Sequence, residues 1–163
     1  MLARVFLLVR SDHVSVPVLT CEGVFELVLP DGWSATGQPG RAYDLSPASG
    51  NLGVNITVYD VEALGGLGTE ALVRRFATSV GVDDADRIPV VTPKDKGSQR
   101  RSFIKFLHDD RAWFAGFLIF PGGALLATSN SADGDSGALA QGEQIVAAIA
   151  PIERRKGVLR RRK

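Results

Sequence analysis

Residues 99–129 read QRRSFIKFLHDDRAWFAGFLIFPGGALLATS. Two strand-like runs, 99–107 and 111–120, flank His108-Asp109-Asp110, which has the composition of a tight hairpin turn. Pro121-Gly122-Gly123 then turns the chain into a third run, Ala124–Ser129. Strands joined by turns this short pair antiparallel. Phe114 to Phe120 is almost wholly apolar, as expected of a central strand covered on both faces.

Downstream of these strands, Leu139, Ile145, Val146 and Ile149 make an apolar stripe that predicts a helix over 138–149, capped by Asp135 or Ser136 and ended by Pro151. Upstream, Leu72, Val73, Phe76 and Val80 recur at helical spacing, with Arg74 and Arg75 on the outer side. Thr69 stands as N-cap and Gly81 as terminator. Before this helix comes Gly65-Gly66-Leu67-Gly68, and before that Leu52, Val54, Ile56 and Val58 alternate with polar or small residues as a strand with one buried face. Phe25, Leu27 and Leu29 mark another strand, stopped by Pro30-Asp31-Gly32. Trp33 follows as a plug for one end of a core. Val14, Val16 and Val18 alternate as an opening strand, which Pro17 confines to an edge.

Strands, helix, hairpin-linked strands and helix in that order predict an α+β protein, with an antiparallel sheet of five or more strands and helices packed on it. Leu52, Val54, Ile56, Val58, Phe117, Ile119 and Trp33 are the expected core.

At 163 residues, 45% hydrophobic and 23% charged, the chain has the size and composition of one globular domain. We expect that domain over residues 1–152. Seven of the 19 bases fall in residues 153–163 against a single acid, Glu153, so the body is mildly acidic and the end reads as a basic, disordered tail. The apolar run Leu2–Val9 is too short for a membrane span, and no small-residue cleavage site follows it. Val18-Leu19-Thr20-Cys21 is loosely similar to a lipoprotein cleavage box, but Leu19 and Thr20 are bulkier than that box prefers. Cys21 is the lone cysteine, which excludes an intrachain disulfide. A cytoplasmic location is the default expectation.

An opening strand, then Phe25 four residues ahead of Leu29-Pro30-Asp31-Gly32-Trp33, resembles the start of the PsbP-like superfamily, which includes the Mog-type Ran-binding proteins and the bacterial DcrB-like proteins. The likeness continues through the Val54–Tyr59 strand, the Thr69–Val80 helix, the late hairpins and the Gln144–Ile149 helix end. It spans roughly residues 14–152 and rests more on the order of elements than on motifs. The resemblance implies a PsbP-like α/β/α sandwich with no shared active site, and a binding role such as adaptor or chaperone for another protein.

Residue chemistry points the same way. Gly134-Asp135-Ser136-Gly137 matches the surroundings of a protease serine, but neither His13 nor His108 stands in the context of a matching base. A loop ending in a helix cap explains the string. His108 beside two aspartates reads as a polar hairpin tip in solvent. Two histidines and one cysteine, spread far apart, are too few for a zinc site. Asp83-Asp84-Ala85-Asp86 and Asp133-Gly134-Asp135 lack the glycine and glutamate of an EF-hand loop. Gly65–Gly68 is neither a dinucleotide fingerprint nor a P-loop.

No catalytic, metal-binding or cofactor-binding residue is therefore assigned. The expected function is non-enzymatic protein binding, as an adaptor or chaperone for a bacterial secreted or effector protein. Tyr43, Tyr59 and Trp113 are the expected partner-binding residues. An immunity protein that inhibits a toxin, and a hydrolase with an unrecognised site, are the rivals. Nucleic acid or anionic membrane at the basic tail is a less favoured partner, since the tail lacks interleaved aromatics. Homodimerisation stays open.

Overall fold

The computed structural model describes residues 18–21, 24–48, 52–94, 97, 99–132 and 136–152. The three strands expected over 99–129 form as β7 (Arg100–His108), β8 (Arg111–Phe120) and β9 (Gly123–Ala132). The β7–β8 turn is two residues long. Asp109 and Asp110 both take positive φ, 50° and 56°, the geometry that matches the twist of the flanking strands and that aspartate tolerates.

On one side β9 pairs with β5 (Gly53–Tyr59), which continues to β4 (Ala42–Pro47) and β3 (Trp33–Gln38). On the other, β7 pairs with the short β6 (Val90–Val91). The result is a seven-stranded sheet in the order β3-β4-β5-β9-β8-β7-β6, antiparallel at every pairing. A second sheet joins β2 (Phe25–Val28) to β1 (Val18–Cys21) and to β10 (Ala150–Pro151).

Strand alternation divides the large sheet into two faces. Tyr43, Leu45, Val54, Ile56, Phe114, Leu118, Leu125 and Ala127 point to the first. There α2 (Ser136–Ala147) packs on β9, β8 and β5, and the three-stranded sheet adds Leu19, Cys21, Phe25 and Leu27 to one continuous core. Phe25 is fully buried, worth roughly 2–3 kcal/mol of transfer free energy. Its ring meets Tyr43 edge-on at 5.9 Å. α2 can come this close because residue 142 is glycine: a Cβ there would fall on the Ser129 hydroxyl and 2.6 Å from its Cβ.

The second face carries Ile104, Phe106, Ala115 and Phe117, covered by α1 (Thr69–Ser79) through Leu72, Val73 and Ala77. α1 lies over β7 and β8. Over β3 and β4 the same face is open: Ser34, Thr36, Asp44 and Ser46 are exposed there. The first face is thus covered by α2 and the small sheet except at its β7–β6 edge, where Leu107 and Val91 are exposed, and the second is covered by α1 over only part of its width.

The α+β antiparallel architecture agrees with the sequence expectation, and several details correct it. Leu52, Val54, Ile56, Phe117 and Trp33 are buried, whereas Val58 and Ile119 are half-buried. Thr69 does not cap α1. Gly68 holds that position, and the Thr69 hydroxyl lies 2.8 Å from Ser102 Oγ, which in turn meets Thr92 Oγ1 at 2.9 Å. α2 ends at Ala147, ahead of Pro151, which instead forms the second residue of β10. In β1 it is Leu19 and Cys21 that face inward, not Val18. Val14, Val16 and the Asp135 cap lie outside the described residues.

Candidate functional site

A cleft of about 340 Å³ lies beside α1 on the partly open face. Its floor is Phe117 and Leu126, from β8 and β9. One wall is Leu72 and Phe76 of α1, and the other is Tyr59 with Ala63 and Leu64. The alternation of β5 and β9 supplies Tyr59 and Leu126, and the Tyr59 and Phe117 rings lie 5.7 Å apart. Gly65 and Gly66, with φ of 62° and 76°, turn the chain after Leu64 back towards α1 and so build the rim.

Two arginines that the helical spacing puts together on the outer side of α1 separate in the structure. Arg74 Nη1 donates to the carbonyls of Ala85, Asp86 and Ile88 at 2.8, 2.9 and 3.0 Å, and Nη2 meets Glu70 at 3.2 Å. The turn over Ala85–Arg87 and the Ile88 that follows it present those carbonyls to the helix, and Arg74 satisfies them. Arg75 stays exposed at the cleft rim, with no ion pair among the described residues.

Next to the cleft is the polar part of the same face. Asn55 donates to Asp44 at 2.8 Å and Thr57 to Asn55 at 3.1 Å, a short chain across β4 and β5. Arg111 donates twice to Asn130 Oδ1, at 3.0 and 2.7 Å, beyond them on β8 and β9.

The three residues expected to anchor a partner do not share one surface. Tyr43 is 4% exposed, on the first face. Its hydroxyl accepts a hydrogen bond from the Gly40 N–H at 3.0 Å. Burial pushes its phenol above the ordinary value of 10.0, and Cys21 beside it adds to that, while the Gly40 N–H works the other way. Tyr59 is half-buried at the cleft. Trp113 is half-buried on the same face, with its ring 6.1 Å from Phe106 and 6.0 Å from Phe76. Phe76 lines the cleft and touches Trp113, so it joins the two. Trp113 Nε1 is buried without a hydrogen-bond partner among the described residues.

The residues weighed for catalysis stay apart. Cys21 is buried in the closed core, and Ser136 opens α2. His108 does not stand in free solvent. Its side chain is 25% exposed, lies 3.3 Å from the Asp109 carboxylate, and leans on Gly81, where a Cβ would come within 2.9 Å of its Nε2. Among the described residues no three His, Cys, Asp or Glu side chains come together as a metal site. Asp84 instead faces Arg87 at 3.4 Å. Asp133–Asp135 and the tail 153–163 lie outside the described residues. Among the described residues, no helix is long and apolar enough to cross a membrane.

Sequence reasoning missed Arg75 and the cleft floor because Phe117 and Leu126 read as ordinary core. The available signal was the apolar run of β8 and β9, which extends past α1, packed on β7 and β8.

An antiparallel sheet with α2 and the small sheet on one side and α1 on the other makes a PsbP-like fold. The solution structure of cyanobacterial PsbP (CyanoP) from Synechocystis sp. PCC 6803 superposes with a TM-score of 0.54 at 19% identity, covering 78% of this chain and 86% of that one. A crystal structure from Bacteroides thetaiotaomicron VPI-5482 overlaps less well, with a TM-score of 0.43, 13% identity, and 80% of this chain against 46% of that one. No family model and no curated protein matches the sequence.

Proposed function

We propose that the chain is a non-enzymatic protein-binding module, acting as an adaptor or chaperone in the cytoplasm, and that its partner docks on the partly open sheet face. The observation that carries this reading is the asymmetry of the sheet. Over β3, β4 and β5 one face is covered by α2 and a second sheet, while the other leaves exposed strand residues beside an apolar cleft. Ordered strands bearing polar groups next to an apolar socket match the make-up of protein interfaces, a hydrophobic centre with a polar rim. The lone cysteine fits a reducing compartment.

Site-directed photocrosslinking tests the reading. A photoreactive residue at Thr36, exposed on the open face, should capture one discrete protein. The same group at Val28, 57% exposed on the small sheet, should not. Equal capture from both positions, or from neither, contradicts the assignment. A toxin captured at Thr36 would convert the adaptor into an immunity protein that uses the same face.

A further inference from the structure

We propose that the cleft beside α1 receives the C-terminal residue of the partner polypeptide, its apolar side chain seated on Phe117 and Leu126 and its free carboxylate at Arg75. This rests on the protein-binding reading above and specifies which part of the partner is recognised.

Size sets the first constraint. At roughly 30 Å³ per water-sized group, a cleft of about 340 Å³ holds on the order of ten non-hydrogen atoms. That is one large apolar residue with its terminal carboxylate. Chemistry sets the second. The floor and walls are apolar, and the Arg75 guanidinium at the rim has no partner among the described residues although its neighbour Arg74 makes four contacts. The Tyr59 hydroxyl is likewise without a hydrogen bond among the described residues, so a second donor borders the same space. An anion bonded to a guanidinium gains about twice what a neutral hydrogen bond does. A C-terminal residue carries an apolar side chain and a carboxylate on one unit. An internal Asp or Glu brings the charge without the group that fills the floor.

The openness of the rim favours a polypeptide over a free small acid. Ala63, Arg75 and Ser79 are exposed, so a ligand of ten atoms would leave part of its surface in water. A polypeptide end continues from Tyr59 on to the polar face of β5 and β4, where Thr57 and Asn55 offer further hydrogen-bonding groups.

The probes are N-acetylphenylalanine, its C-terminal amide and decanoate, titrated against the full chain by two-dimensional NMR. The acid should shift the backbone resonances of Tyr59, Leu72, Phe76 and Leu126, and the amide should bind roughly tenfold more weakly. Arg75→Gln, a change at an exposed side chain, should keep the melting temperature and abolish the preference for acid over amide. Absence of shifts at those four residues overturns the proposal, as does equal binding of acid and amide or a preference that survives Arg75→Gln. Decanoate binding more tightly than N-acetylphenylalanine overturns it in favour of a free fatty acid. If these titrations fail while the Thr36 crosslink persists, only the C-terminal assignment falls. If the crosslink fails as well, the binding-module reading falls with it.

Discussion

Tyr43 shows how burial converts an expected surface anchor into a titrating part of the core. Its phenol is held above its ordinary value of 10.0, first by burial. A folded-state value raised above the unfolded one stabilises the fold fully below about pH 10, and that stability is lost as pH rises through the folded value. Tyr43→Phe leaves the Gly40 N–H without its acceptor and should cost about 1 kcal/mol at neutral pH. Denaturant unfolding at several pH values should show that gap closing above pH 10, because only the wild type carries the titrating phenol. A gap that stays constant would contradict the assignment. Gly142 offers a second check. Alanine there gains up to ~1 kcal/mol of helix propensity but pushes a methyl group on to Ser129. Overpacking of that kind costs ~1–3 kcal/mol, so Gly142→Ala should lower the melting temperature. Pairing it with Ser129→Gly should recover most of the loss.

Among the elements, the start of α1 is held by a tertiary contact in place of a cap. Ser102 is fully buried and serves both Thr69 and Thr92. Ser102→Ala strands two hydroxyls and should destabilise by ~1–3 kcal/mol. Hydrogen exchange should then speed up most in the first turn of α1. Unchanged exchange there would show that the hydroxyl cluster does not hold the helix. The sequence could not disclose this contact, because a threonine ahead of an apolar stripe has the composition of an N-cap whether its hydroxyl bonds locally or to a strand 33 residues away. The helices and the strands β5, β7, β8 and β9 were legible, because their apolar periods are long and unbroken. β3 and β4 were not. Trp33, Ala35, Tyr43 and Leu45 carry the alternation, but Ser34, Thr36, Asp44 and Ser46 face solvent, and Gly37 interrupts the period. Gly37 has a φ of 138°, and a Cβ there would run into the Ala42 carbonyl oxygen, so the hairpin depends on a residue that also weakens its strand signal. β6 and β10, two residues each, are too short to carry any period. The polar outward residues that hid β3 and β4 are the same ones that leave the second face open.

Across the whole molecule, the central claim is that specific binding uses the partly open sheet face, and that the basic segment 153–163 adds only long-range attraction. Attraction between charges in solvent is screened beyond a Debye length of about 8 Å at physiological salt, so a basic segment speeds encounter more than it deepens affinity. The direct measurement is the affinity and association rate for the crosslinked partner at low and near-physiological salt. It should be made with the full chain, with a chain lacking 153–163, and with Thr36→Arg in the full chain. Truncation should slow association and flatten its salt dependence while leaving most of the binding free energy. Thr36→Arg, which alters an exposed position and leaves the core alone, should weaken binding at least tenfold at both salt concentrations, about 1.4 kcal/mol or more. Binding abolished by truncation at both salts and untouched by Thr36→Arg would contradict the account, and would make the basic segment the recognition element.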